Sequence, residues 1–177
     1  MRLIIASDIH GHTQCCAALL QQVKQKNPDR LLLLGDLLYH GSYDAEDFPP
    51  VDSQLNPLAD RILAVKGNCD RMGDQFRFAF PMLEDTQSLL VDGWHFVLAH
   101  GHQFIPEKQP AHLVFLTGHT HIPQVEEHQG WYRLNPGSLS FPRGNSQNSF
   151  LWYADGVFQW LTLAGEPFMT FTLPALA

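Results

Sequence analysis

Residues 3–12 read "LIIASDIHGH", and the fold turns on how that stretch is read. Leu3–Ala6 is an unbroken apolar run, the pattern of a strand buried on both faces. Ser7 and Asp8 end the run at once, and the turn that follows carries Asp8 and His10. The apolar patch is too short for a signal peptide and reads as a first strand. Next, "TQCCAALLQQVKQKN" (13–27) places Ala17, Leu20 and Val23 at helical spacing, and Pro28 closes the segment. "RLLLLGD" (30–36) and "RILAVKGN" (61–68) are two further buried strands, each ending on glycine and a polar residue. Strand, helix and strand in that order predict a right-handed parallel crossover.

Between the second and third strands, "YHGSYDAEDFPPVDSQLNP" (39–57) is rich in Pro, Asp and Ser. It is read as an ordered surface loop near the site, because a linker there would divide a sheet. From Ser88 the pattern changes. "SLLVDGWHFVLAHGH" (88–102) predicts a hairpin turning at Asp92-Gly93. "HLVFLTGHTH" (112–121) is another buried strand, and only "QFIPEKQPAHLVFLT" joins His102 to Gly118, which leaves little room for a crossover helix. Further turns are expected at Gln129-Gly130 and Asp155-Gly156. Trp152, Phe158, Trp160, Phe168 and Phe171 read as core of the second sheet, with any exposed subset available as an oligomer contact. The fold class expected is α/β (α+β): two mixed β-sheets packed as a sandwich flanked by helices, in a single domain spanning 1–177.

Composition narrows the function. With 45% hydrophobic and only 16% charged residues, the 177-residue chain can bury a core and is neither a coiled coil nor disordered. A net charge of -7 with no Lys/Arg cluster argues against non-specific nucleic-acid binding. No stretch approaches the roughly 18 apolar residues of a membrane span. Cys15, Cys16 and Cys69 are an odd, sparse set that fits a reduced, cytoplasmic protein.

Polar residues of metal-ligand type stand at five strand-to-loop junctions. They are Asp8 and His10 in "IIASDIH", Asp36 in "LLLLGD", Asn68 in "AVKGNCD", His100 in "FVLAHGH", and His119 and His121 in "FLTGHTH". Groups just beyond the carboxyl ends of strands are where ligand sites form in such sheets. Carboxylate, imidazole and amide together, without a Cys set, suit Mn²⁺, Fe²⁺ or Zn²⁺ better than Ca²⁺. Seven candidates exceed the three or four ligands of one catalytic zinc, so two metals are the economical reading. In extended backbone, residues i and i+2 point the same way, which would turn His119 and His121 into one cavity. Each motif alone has a bland alternative as a turn residue or helix cap. All five in one short chain, each ending an apolar run, form a specific pattern.

In this order, Asp8-x-His10, Gly35-Asp36, Gly67-Asn68-x-Asp70, His100-Gly-His102 and Gly118-His119-Thr-His121 resemble the calcineurin-like metallophosphoesterases. The resemblance runs from Arg2 to about Arg143, takes in "NPGSLSFPR", and is nearest to the small YfcE-type phosphodiesterases of bacteria and archaea. It implies a two-sheet sandwich and two divalent metals, Mn²⁺ first, with Zn²⁺, Fe²⁺ or Ni²⁺ as alternatives. One metal would take Asp8, His10, Asp36 and His121; the other Asp36, Asn68, His100 and His119, with Asp36 bridging. A water shared by both metals would attack phosphorus in line. Asp36, Asn68, His100 and His102 are the residues expected to act at the reacting centre.

Two departures matter. Larger branches of the superfamily carry Gly-Asn-His where Cys69 stands here, and an Asp and Arg where Tyr39 and His40 stand. The acid dyad is absent, which favours substrates with good leaving groups or another proton donor: His40, His102, Tyr39 or Cys69. His12, His95, His112 and His128 read as surface or hairpin residues, Asp70 as a support for the turn after Asn68, and Asn135, Gly137 and Ser138 as a turn beneath the site. Gly11, Gly35, Gly67 and Gly118 read as sharp turns beside the metals. The function expected is phosphodiester hydrolysis on a small substrate, in a protein open to homo-oligomer formation. The alternatives are a phosphomonoesterase or nucleotide pyrophosphatase on the same centre, or a non-catalytic scaffold such as the retromer subunit that shares this fold.

Overall fold

The structure, a computed structural model, describes residues 1–39, 49–103 and 109–176. Its described residues form eleven strands in two sheets. Strands β1 (Arg2–Ala6), β2 (Arg30–Leu33) and β3 (Ile62–Ala64) are the three expected buried runs, and they pair in parallel in that order. Helix α1 (Thr13–Lys26) joins β1 to β2. It ends on Asn27 in the left-handed conformation (φ 44), whose N–H donates to the Val23 carbonyl, one residue before Pro28. The buried face of α1 is Cys15, Cys16, Leu19, Gln22 and Val23; Ala17 and Leu20, expected on it, are only half-buried.

Strands β4 (Thr86–Val91) and β5 (Trp94–Ala99) form the expected hairpin. Asp92 and Gly93 both have positive φ, 50 and 85, the two-residue turn whose twist matches its strands. Strand β6 (Leu113–Leu116) pairs in parallel with β5 and with β8 (Trp131–Pro136), and β7 (Pro123–Glu127) pairs antiparallel with β8. The second sheet is therefore mixed, in the order β4-β5-β6-β8-β7.

The remaining strands, β9 (Ser149–Ala154), β10 (Val157–Thr162) and β11 (Pro167–Thr172), do not join it. Strand β9 pairs antiparallel with β1, giving a first sheet in the order β11-β10-β9-β1-β2-β3. The C-terminal aromatics thus belong to the first sheet, contrary to expectation. Phe158 and Trp160 are fully buried between the sheets, Trp152 faces the α1 side, and Phe168 is 40% exposed. Among the described residues the most exposed large apolar side chains are instead Phe76 and Met72, on a 3₁₀ helix at Met72–Arg77.

Alternation along β1 and β2 explains why both are apolar throughout. Leu3, Ile5, Leu32 and Leu34 meet Phe96, Leu98, Val114, Leu116 and Leu134 of the second sheet. Ile4, Ala6, Leu31 and Leu33 meet Cys16, Leu19 and Val23 of α1, with Val51 and Leu55 of α2 (Val51–Leu55). Helices α1 and α2 pack on the first sheet; among the described residues the outer face of the second carries a small cluster around Leu113, Phe115 and Trp131. The stretch expected to be a loop is helical at its end, in α2 and a 3₁₀ helix at Asn56–Arg61. Positions 40–48 of it, with the candidate donor His40, lie outside the described residues, as do 104–108 in the connection from His102 to Gly118. Among the described residues Cys15, Cys16 and Cys69 are free thiols, and no helix is long and apolar enough to cross a membrane.

Trp160 is 0% exposed in the inter-sheet core and donates its indole N–H to the Asn135 carbonyl at 2.7 Å. Trp160→Ala is expected to destabilise the fold by about 3–5 kcal/mol in chemical denaturation. A loss under about 1 kcal/mol would contradict the packing described.

Candidate metal centre

The parallel strands β1, β2 and β3 of one sheet, and β5, β6 and β8 of the other, send their carboxyl ends to one rim. Asp8 follows β1, Asp36 follows β2, Asn68 follows β3, His100 follows β5, and His119 and His121 follow β6. The local backbone differs from the extended form expected of the two-residue spacings. Asp8, His10, Asp36, His119 and His121 all have left-handed φ, at 57, 49, 53, 67 and 62. L-residues avoid this region, and where they hold it the surrounding structure must impose it.

The imposing contacts are visible. The Asp8 carbonyl accepts from Ser138 Oγ at 3.0 Å and Ser140 Oγ at 2.9 Å. Asp8 Oδ2 accepts from the His119 backbone N–H at 3.1 Å. Buried Asp70 accepts four backbone N–H groups: Asp36 at 2.8 Å, Leu37 at 2.9 Å, Leu38 at 3.5 Å and Gly67 at 2.8 Å. It therefore ties the loop after β2 to the loop after β3, as its expected support role required. Asn135 donates to the Gly118 carbonyl at 2.7 Å and accepts from Gly137 N–H at 2.8 Å, forming the expected turn beneath the site. Gly67 and Gly118 serve close approach, not turn conformation. A Cβ on Gly67 would overlap the Asp36 backbone nitrogen, and one on Gly118 would overlap Ser7 Oγ.

Acceptor atoms converge in the space so framed. Asp8 Oδ1 is buried with no hydrogen-bond partner among the described residues. It lies 3.2 Å from His121 Nε2 and 3.7 Å from His10 Nε2. His121 commits its other ring nitrogen to the Phe141 carbonyl at 2.7 Å, so Nε2 carries the lone pair whenever the ring is neutral. His10 Nε2 stands 3.3 Å from His121 Nε2. His100 repeats the pattern: Nδ1 meets the Leu34 carbonyl at 2.7 Å, leaving Nε2 3.4 Å from Asp36 Oδ2 and 3.0 Å from Asn68 Oδ1. Asp36 Oδ2 is also 3.7 Å from His10 Nε2, so this one oxygen reaches towards both histidine groups.

Asp8, His10 and His121 could hold one cation, and Asp8, Asp36 and His100 a second, each set with all ligand atoms within 4.8 Å. Asn68, exposed, adds a neutral oxygen at the His100 side. Two sequence candidates stand further out. The His119 ring centroid is 5.2 Å from that of His100, outside either tight group but on the same cleft. His102 is exposed, 5.4 Å ring to ring from His100, and does not line the cleft.

The cleft above these atoms has a volume of ≈ 630 Å³. It is lined by His10, Asp36, Asn68, His119 and His121, with Tyr39 on one side and Ser140 to Arg143 on another. Cys69 also lines it; its thiol is pushed up to about 12 by burial and by the Asp36, Asp70 and Asp8 carboxylates. Sequence reading passed over Arg143, which closes the stretch "NPGSLSFPR" and was read only as the end of a pattern. His12, read as a surface or hairpin residue, instead caps α1 by accepting from Cys15 N–H at 3.4 Å. His95, His112 and His128 are exposed, as expected.

The charges of the site are tightly coupled. Burial opposes charge on Asp36, yet the hydrogen bond and charge of His100, with Cys69 N–H, bring its carboxyl down to about 2. His100 and His121 are lowered by burial but raised overall, by Asp36 and Asp8 for His100 and by Asp8 and the Phe141 carbonyl for His121. Burial holds His10 and His119 below the ordinary imidazole range. In the metal-free protein His100 and His121 thus keep protons to higher pH than a free histidine, and a cation must displace them.

Mn²⁺ binding to metal-free protein is therefore expected to release more protons near pH 6.5 than near pH 8.5, with affinity falling as pH falls. Calorimetric titration in buffers of different ionisation heat measures this. Affinity independent of pH would contradict the assignment of His100 and His121.

Comparison with known proteins adds the family. Residues 1–154 match the model of the calcineurin-like phosphoesterase superfamily domain. Phosphodiesterase YfcE of Escherichia coli (strain K12) is 38% identical over 157 residues, covering 85% of each chain. The solved structure of YfcE, a phosphoesterase from E. coli, superposes with a TM-score of 0.88 at 34% identity, covering 98% of this chain and 100% of that one. Vps29 of Entamoeba histolytica, solved in complex with zinc, shares the fold at a TM-score of 0.66 and 22% identity, over 98% of both chains. With the ligand-type atoms gathered at one rim and most of the chain matched, the protein belongs to the calcineurin-like phosphoesterase superfamily, in its YfcE-type branch, and is a metal-dependent phosphoric ester hydrolase.

Proposed function

We propose that the protein is a dinuclear phosphodiesterase acting on a small phosphodiester, with Mn²⁺ as its first metal. The observation that carries this reading is the arrangement of Asp8 Oδ1, Asp36 Oδ2 and the Nε2 atoms of His10, His100 and His121, all turned towards one another. Neutral imidazoles and carboxylates so placed repel or leave lone pairs unmet unless cations lie between them. Similarity to a relative named phosphodiesterase supports the substrate class. The free thiols fit a reducing compartment.

In this reading Asp36 would be the ligand common to both metals: its Oδ2 lies 3.7 Å from His10 Nε2 and 3.4 Å from His100 Nε2, while Cys69 N–H holds its other oxygen at 2.8 Å, and Asp8 Oδ1, 3.7 Å from His10 Nε2 and 4.0 Å from His100 Nε2, stands beside it. Asp8, His10 and His121 complete one side; Asn68, His100 and His119 complete the other. Paired divalent cations supply an activated water near neutral pH and neutralise charge on the phosphate oxygens. His119 lines the same cleft, its ring centroid 5.2 Å from that of His100. We read residues 1–177 as a single domain, and the one rim to which both sheets contribute supports that reading.

Metal-stripped protein is expected to leave bis(p-nitrophenyl) phosphate intact and to hydrolyse it when Mn²⁺ is added. Asp36→Asn and His119→Ala should each cost more than the roughly 10–100-fold typical of a residue that only supports a ligand. The mono-ester p-nitrophenyl phosphate should turn over more slowly; the reverse order would favour a phosphomonoesterase. Two metals bound without turnover of either ester would count against this substrate class.

A further inference from the structure

The chain carries a net charge of -7, and the Asp36 carboxylate is among the residues that line the cleft. Among the described residues that line the cleft, Arg143 carries the one permanent positive charge. Its main chain is fixed. The N–H donates to the His121 carbonyl at 3.1 Å, and its own carbonyl accepts from Ser146 N–H at 3.2 Å and Ser146 Oγ at 2.6 Å. Pro142 locks the preceding φ, and Gly144 and Asn145 turn left-handed immediately after, at φ 64 and 58.

The side chain is exposed, and no carboxylate among the described residues pairs with it. Arg2, Arg77 and Arg133, by contrast, each meet a carboxylate: Asp29, Asp52 and Glu126. The charge of Arg143 is felt at His121, where it works against protonation. An anchored backbone, a guanidinium that no carboxylate among the described residues pairs with, and a place on the wall beside a candidate metal ligand together describe a group suited to an anion.

Building on the phosphodiesterase reading, we propose that Arg143 is the substrate clamp, its guanidinium holding a non-bridging phosphate oxygen of the ester from the His121 side of the cleft. A guanidinium presents two parallel N–H groups that match a phosphate, which an ammonium does not. The contact exists in the bound ground state as well as later, so it sets KM and leaves kcat nearly unchanged.

The test uses Mn²⁺-loaded full chain and inorganic phosphate as probe, in wild type, Arg143→Gln and Arg143→Lys, with metal content measured in each. Arg143→Gln should weaken phosphate binding by roughly 10–100-fold, the value of hydrogen bonds to a charged group. It should raise KM for bis(p-nitrophenyl) phosphate to a similar degree at near-constant kcat and unchanged metal content. Arg143→Lys should recover part of the loss. Equal phosphate affinity in wild type and Arg143→Gln would overturn the proposal, as would loss of metal in the variant or no phosphate binding by the wild type. Arg143-dependent phosphate binding without diester hydrolysis would leave the clamp standing and remove the phosphodiesterase reading instead.

Discussion

The structure depends on a backbone constraint: five of the seven ligand-type residues sit in left-handed conformation at strand ends. Each costs about 1–2 kcal/mol relative to ordinary backbone for a residue with a Cβ. Such positions persist only where the rest of the fold over-determines them. Here the over-determination comes from both sheets at once. Ser138 and Ser140, after the last parallel strand of the second sheet, hold the carbonyl of Asp8 from the first. Asp70, after β3, holds the loop after β2. Without the parallel register that brings these ends to one rim, the side chains would have no common target.

The electrostatics follow from that geometry. Backbone carbonyls of Leu34 and Phe141 fix the His100 and His121 rings by their Nδ1 atoms. Their Nε2 atoms then face carboxylates in a space shielded from water, where charge is costly unless paired. Without metal, protons fill part of that need, which is why His100 and His121 are raised while Asp36 is depressed. A cation satisfies the same atoms without protonating them. Membership of a metal-dependent esterase superfamily and the physical need for positive charge are thus two views of one arrangement.

Much of this was legible in the sequence, for physical reasons that differ by element. The Asp92-Gly93 and Asp155-Gly156 turns were readable because a left-handed two-residue turn leaves a strong local signature, and both adopt it. The five metal-type motifs were readable because each ends an apolar run. Where strands β9 to β11 would pair was not readable. Alternation tells which face a residue takes, not which partner, and β9 finds β1 across some 150 positions of chain. Strand β11, whose Phe168 and Phe171 were read as sheet core, is instead an edge strand that begins on Pro167 and whose residues are half-buried or exposed. The i, i+2 argument for His119 and His121 reached the right cavity by the wrong backbone: they share the cleft as left-handed residues, not as an extended strand. Arg143 carried no local signal, since an arginine after a proline has meaning only once the wall it stands on is known.

The most direct measurement is anomalous diffraction from crystals grown with Mn²⁺, recorded at the manganese edge. Two peaks per chain are expected, one among Asp8, His10 and His121 and the other beside Asp36, Asn68 and His100. A single peak, or two that leave Asp36 outside the coordination of either, would contradict a dinuclear centre bridged by that carboxylate.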